Sequence, residues 1–97
     1  MRKKENPRDR ITARQLSDNE IAVILRKVGE LLKDKRTKVG SLEDVSYEIR
    51  ISRSALARYE RGGDMQLSNF LKVIYGLNID EEAFFSELRK TFKKDKP

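Results

Sequence analysis

The 97-residue chain contains no cysteine and no histidine. Disulfides, thiolate metal sites and histidine base chemistry are therefore excluded, and a reducing compartment fits. No apolar run approaches the roughly 18 to 20 residues that a membrane span needs. The N-terminus is charged and lacks the apolar segment of a secretory signal, so a cytoplasmic location is expected. Glycine-rich phosphate loops are absent, and no serine is followed by a lysine at S-x-x-K spacing. The 16 carboxylates are spread along the helical surfaces, with no local pattern suggesting a buried catalytic pair. No enzymatic activity, cofactor or metal is expected.

What remains suffices for one small domain, with a hydrophobic fraction of 37%. The net charge of +6 is unevenly placed. Residues 1–16 carry six basic and two acidic side chains, and residues 89–97 five basic and one acidic, so each end is +4. The stretch between them has eleven basic against thirteen acidic groups and is net −2. Basic ends serve polyanion binding or simply keep a small protein soluble; charge alone does not separate the two.

Residues 1–16 lack periodicity and read as a flexible basic arm. Ser17 to Glu20 forms a capping box. Behind it Ile21, Ile24, Leu25, Val28, Leu31 and Leu32 keep the spacing of one long amphipathic helix that fades near Lys38. Gly40 stops it, and Ser41 can cap a short second helix carrying Leu42, Val45 and Ile49. Ser52 can cap a third, running to about Arg61 with Leu56 and Tyr59 inward, before Gly62-Gly63 ends it. Leu67, Phe70, Leu71, Ile74 and Leu77 define a fourth helix, and Asn78 and Asp80 break and recap the chain. Ala83, Phe84, Leu88 and Phe92 carry a fifth. No segment alternates with period two for long enough to be a strand. The expectation is an all-α domain over residues 17–93, with a basic tail at 94–97.

The stretch VSYEIRISRSALARYERG, residues 45–62, holds the sharpest question. Helical spacing links Val45 to Ile49 and Leu56 to Tyr59, but the step from Ile49 to Ile51 is not helical. The chain breaks and restarts around residues 50–52. Two helices of about eight residues joined there need a small residue at their crossing, which Ser46 supplies. They also need inward apolar groups on both sides of the turn, and Ile49, Ile51 and Leu56 supply those. The other face of the third helix is left with Arg53, Ser54, Ala57, Arg58 and Arg61, linked by i, i+4 spacing. On a generic helix such a face is simply solvated. Long arginines among small residues also suit close approach to base edges, with arginine bidentate to guanine.

With these residues in place, 20–85 resemble the Cro/C1-type (XRE family) helix-turn-helix DNA-binding proteins. The likeness rests on Arg36, the frame from Leu42 to Tyr59, the YERG run at 59–62 and the LSNFLKVIYGLNI run at 67–79. It implies a five-helix lambda-repressor-like DNA-binding domain, and a pairing of Glu60 with Arg36. The chain departs from the family pattern at Arg50, where glycine is usual in a left-handed turn. It departs again at Leu42, where a phosphate-contacting glutamine is usual, and Glu43 beside it repels phosphate. Anchoring there falls to Ser41 and the backbone amides.

The function so implied is sequence-specific binding of double-stranded DNA by a transcriptional regulator. Helix three, capped by Ser52, enters the major groove with Arg53, Ser54, Ala57, Arg58 and Arg61. Helix two crosses the backbone, and Gln66, Ser68 and Asn69 meet phosphates. A homodimer reading two half-sites is expected, with the N-terminal arm either touching DNA or not. The rival reading is a protein-interaction module or antitoxin-like adaptor, using the helix at 79–93 to hold a partner protein. Adjacent Phe84 and Phe85 cannot both face one core, so one is expected to pack on helix one and the other to lie at an interface.

Overall fold

A computed structural model describes residues 13–94, which form five helices and no strand. These are α1 (Asp18–Val39), α2 (Leu42–Ile49), α3 (Arg53–Glu60), α4 (Leu67–Gly76) and α5 (Glu81–Lys94). Most of the expected basic arm, residues 1–12, and the tail at 95–97 lie outside the described residues, as does the side chain of Phe92. No helix among the described residues is long and apolar enough to cross a membrane.

Local chemistry sets where the helices begin. At α1 the Ser17 hydroxyl accepts from the Glu20 amide at 3.0 Å, and the Glu20 carboxylate accepts from the Ser17 amide at 2.8 Å. That backbone hydrogen bond, followed by one from Arg14, holds the Glu20 carboxyl below its ordinary range. A carboxylate depressed in the folded state supports the fold above its unfolded pKa and loses that support as pH falls through the folded one. Ser41 and Ser52 cap α2 and α3 by accepting from the Asp44 and Ala55 amides, each at 3.1 Å. Asp80 does the same for α5, accepting from Ala83 at 3.2 Å.

Helix ends follow one pattern three times. Residues Arg50 (φ 62°), Gly62 (φ 99°) and Asn78 (φ 58°) are all left-handed. At each the next amide reaches back to a carbonyl five residues earlier: Ile51 to Ser46, Gly63 to Arg58, and Ile79 to Ile74. These are Schellman closures, which satisfy orphan carbonyls and turn the chain sharply. Glycine and asparagine adopt this conformation readily; arginine does not. Arg50→Gly is therefore expected to raise stability by up to about 1 kcal/mol. The Lys72 ammonium donates to the Arg50 carbonyl at 3.3 Å, a backbone contact that the substitution leaves in place. Equilibrium urea unfolding checks this; a clear loss of stability would show that the arginine stem contributes more than its backbone costs.

The core gathers Leu32, Val45, Ile49, Ile51, Leu56, Tyr59, Val73, Ile74, Ile79 and Phe84. Helix α1 packs on α2, α3 and α5, while α2 packs on α3 and α4. Two expectations are corrected in α4. Leu67 and Leu71 are 70% and 42% exposed, although both fit an apolar spacing. Val73 and Ile74 are buried, with Phe70 and Leu77 packed against them, so the inward stripe is 70, 73, 74, 77. Leu71 lies about 100° round the helix from Phe70, and Leu67 opens the first turn. Ile21 is likewise 41% exposed, at the N-terminal end of α1. Of the adjacent pair, Phe84 is the core residue at 1% exposure and Phe85 is 49% exposed. Both rings lean on Phe70, with centroids 5.9 and 6.2 Å away. The Tyr75 hydroxyl beside the Glu81 carboxylate holds that carboxyl below its ordinary range, and the carboxylate holds the hydroxyl above its own. This ties the end of α4 to the start of α5.

Candidate nucleic-acid interface

The unit formed by α2, the turn at 50–52 and α3 places one face of α3 in solvent. Leu56 and Tyr59 point into the core, and Arg53, Ser54, Arg58 and Arg61 are exposed, with Ala57 half-buried among them. Ser46, 4% exposed, lies under the junction, its hydroxyl donating to the Glu43 carbonyl at 3.0 Å. A serine there allows close approach and returns its own polar group to the backbone. Among the described residues no carboxylate pairs with Arg53, Arg58 or Arg61. These guanidiniums, two on α3 and one at its C-cap and none with a carboxylate partner among the described residues, form a cationic face suited to a polyanion.

The helix is held from behind by an ion pair. Arg36 donates from Nε to Glu60 Oε2 and from Nη2 to Glu60 Oε1, both at 2.8 Å. This is the partner that the resemblance implies, and it is bidentate. Its side chains are 11% and 6% exposed. The Glu60 hydrogen bond holds the Arg36 guanidinium above its ordinary range. A close approach of two backbones accompanies it. A Cβ on Gly29 of α1 would lie 2.6 Å from the Tyr59 carbonyl oxygen and 2.7 Å from that of Glu60. Gly29 belongs to no motif in the chain; a glycine inside a strong helical pattern is the signal that marks it.

The flanking residues have mixed roles. Ser41 and Ser52 both spend an oxygen lone pair on capping, which leaves each hydroxyl proton to donate outward. Glu43 and Asp44 add negative charge to the first turn of α2 beside Ser41. Gln66 stands at the N-cap of α4 without a side-chain capping bond, and Ser68 is exposed. Asn69 is already engaged: its Nδ2 donates to the Tyr59 hydroxyl at 2.8 Å, linking α4 to α3. Nothing in the residue pattern announces that bond, because it joins two elements through a turn.

A second feature lies between α1 and α5. Ile24 of α1 and Phe85, Leu88, Arg89 and Thr91 of α5 line an open apolar groove of about 330 Å³. No group of acidic side chains among the described residues could hold a metal ion. No protein-family model, no curated protein and no solved structure matches this chain. The function of the arginine face therefore rests on its own residues and geometry.

Proposed function

We propose that this protein binds double-stranded DNA with sequence specificity, as a transcriptional regulator of the Cro/C1-type helix-turn-helix kind acting in the cytoplasm. The carrying observation is the face of α3, where unpaired Arg53, Arg58 and Arg61 alternate with Ser54 and Ala57. The opposite face is fastened to the core through Leu56, Tyr59 and the Arg36–Glu60 pair. An α-helix fits the major groove, which is about 12 Å wide, and arginines reach guanine edges there. The short α2, the left-handed turn and α3 supply the helix-turn-helix, within a lambda-repressor-like arrangement of five helices. Ser41, Ser52, Gln66, Ser68 and Asn69 then flank the groove-facing helix as candidates for phosphate contact.

A homodimer reading two half-sites about one helical turn apart suits this motif. The groove beside the half-exposed Phe85 is an available surface for it. The same groove supports the second reading, a protein-interaction module or antitoxin-like adaptor that holds a partner protein through α5.

The test is selection of bound sites from random duplexes by the full chain at defined salt. An enriched motif, bound more weakly as salt rises, supports the DNA reading; recovery of unselected sequence favours the interaction module. On an enriched site, Arg53→Ala is expected to cost about 1 to 3 kcal/mol of affinity while leaving the melting curve unchanged. Unchanged affinity would remove α3 from the groove.

A further inference from the structure

The arginines of α3 are not equivalent. The guanidinium carbon of Arg58 lies 5.3 Å from the centroid of the Tyr59 ring. Neighbouring residues on a helix diverge by about 100°, so Arg58 must fold back to reach that ring. Its stem also runs against Gly63: a Cβ on that glycine would lie 2.8 Å from Arg58 Cγ. The side chain is thus held between the Tyr59 ring and the backbone after α3, at the C-terminal end of the helix. The Tyr59 hydroxyl in turn bonds Asn69 of α4 at 2.8 Å. If the amide nitrogen donates, the hydroxyl proton and the second amide hydrogen are left over. If the amide is turned round, both amide hydrogens are left over. Either way, the ring on which Arg58 rests is itself anchored to α4. Arg53 has no ring contact among the described residues. It opens the first turn of α3, exposed and without an ion-pair partner among the described residues.

We infer that Arg58, held on the ring of Tyr59 that Asn69 anchors, forms a clamp for one DNA phosphate, and that guanine reading falls on Arg53. The inference rests on the DNA-binding reading and divides its cationic face into a positioning part and a specifying part. A guanidinium stacked on a ring loses less freedom when it meets a phosphate oxygen. Phosphate contacts fix register without choosing sequence. Asn69 is a positioning residue that acts through Tyr59.

The two roles differ in what lysine can replace. A point charge serves a phosphate, whereas bidentate recognition of a base needs the planar fork. The experiment compares the wild type with Arg58→Ala, Arg58→Lys and Arg53→Lys. Each is titrated at several salt concentrations against the selected site, single-base variants of it and an unrelated duplex, with melting curves on the same samples. For Arg58→Ala, affinity is expected to fall by the same factor, about tenfold or more, on every duplex. The log–log salt slope should become shallower by about 1. Arg58→Lys should keep the slope and most of the affinity, with base preference intact. Arg53→Lys should flatten the preference at one base pair. If Arg58→Lys alters preference at a base pair, or Arg58→Ala leaves the salt slope unchanged, the clamp is overturned while DNA binding stands. If the wild type binds no duplex, the DNA-binding reading falls and the clamp with it.

Discussion

Replacing Glu60 by alanine is expected to cost the domain about 3 kcal/mol of stability. The carboxylate receives two hydrogen bonds from Arg36 at 2.8 Å, in surroundings that leave its side chain 6% exposed. Its removal strands a guanidinium that cannot shed its proton at any accessible pH. Breaking such a pair from one side costs about 3 to 5 kcal/mol. The lower end applies because Arg36 keeps 11% exposure and still donates from Nη1 to the Gly40 carbonyl at 3.2 Å. For a domain whose total stability is about 5 to 15 kcal/mol, that is a large share. Removing both partners differs in kind: Arg36→Met with Glu60→Leu leaves no orphaned charge and is expected to recover most of the loss. Urea unfolding of the two single variants and the double completes the cycle. Should Glu60→Ala lose less than about 1 kcal/mol, the pair behaves as a solvated surface bridge, and α3 is held to α1 by packing alone.

Gly29→Ala is expected to destabilise by about 2 kcal/mol or more, although alanine is the better helix former by about 1 kcal/mol. The added methyl would stand 2.6 and 2.7 Å from the carbonyl oxygens of Tyr59 and Glu60, and 2.9 Å from the Glu60 carbonyl carbon. These are backbone atoms, so relief requires α1 and the last turn of α3 to separate. That movement strains the Arg36–Glu60 pair and re-aims the arginine face, so affinity for a selected duplex should fall along with stability. Gly40→Ala is the control. Its φ of 174° is extended backbone that any residue adopts, and its Cβ would make ordinary contact with Val45 Cγ2 at 3.5 Å. It should change stability by no more than about 0.5 kcal/mol. Equal melting temperatures for Gly29→Ala and the wild type would show that the two helices part at little cost.

These expectations differ in how far they could be seen in the chain. The helix starts could be read directly, because Ser17 with Glu20, Ser41, Ser52 and Asp80 each bond an amide three residues away. The break at 50–52 was visible as a fault in the apolar spacing. The solvent side of α3 followed from the same periodicity, since Leu56 and Tyr59 leave only one face for Arg53, Ser54, Ala57, Arg58 and Arg61. Such features depend on neighbours within one or two turns, so sequence by itself determined them.

Other features depended on contacts between distant segments. Leu67 and Leu71 fit an inward stripe, yet the domain buries Val73 and Ile74 instead, because α4 rotates to satisfy α2 and α5 together. The choice of Phe84 over Phe85 for the core was open in the sequence, as only one of two adjacent side chains can meet the ring of Phe70 from within. Gly29 gains its importance from Tyr59 and Glu60, some thirty positions away. The bond from Asn69 to Tyr59 joins α4 to α3 across the turn at Gly62. Local hydrogen bonds and periodicity act over a few residues and were written in the chain. Interhelical distance and rotation settle only when all five helices share one core, and they decide which side chains meet across it.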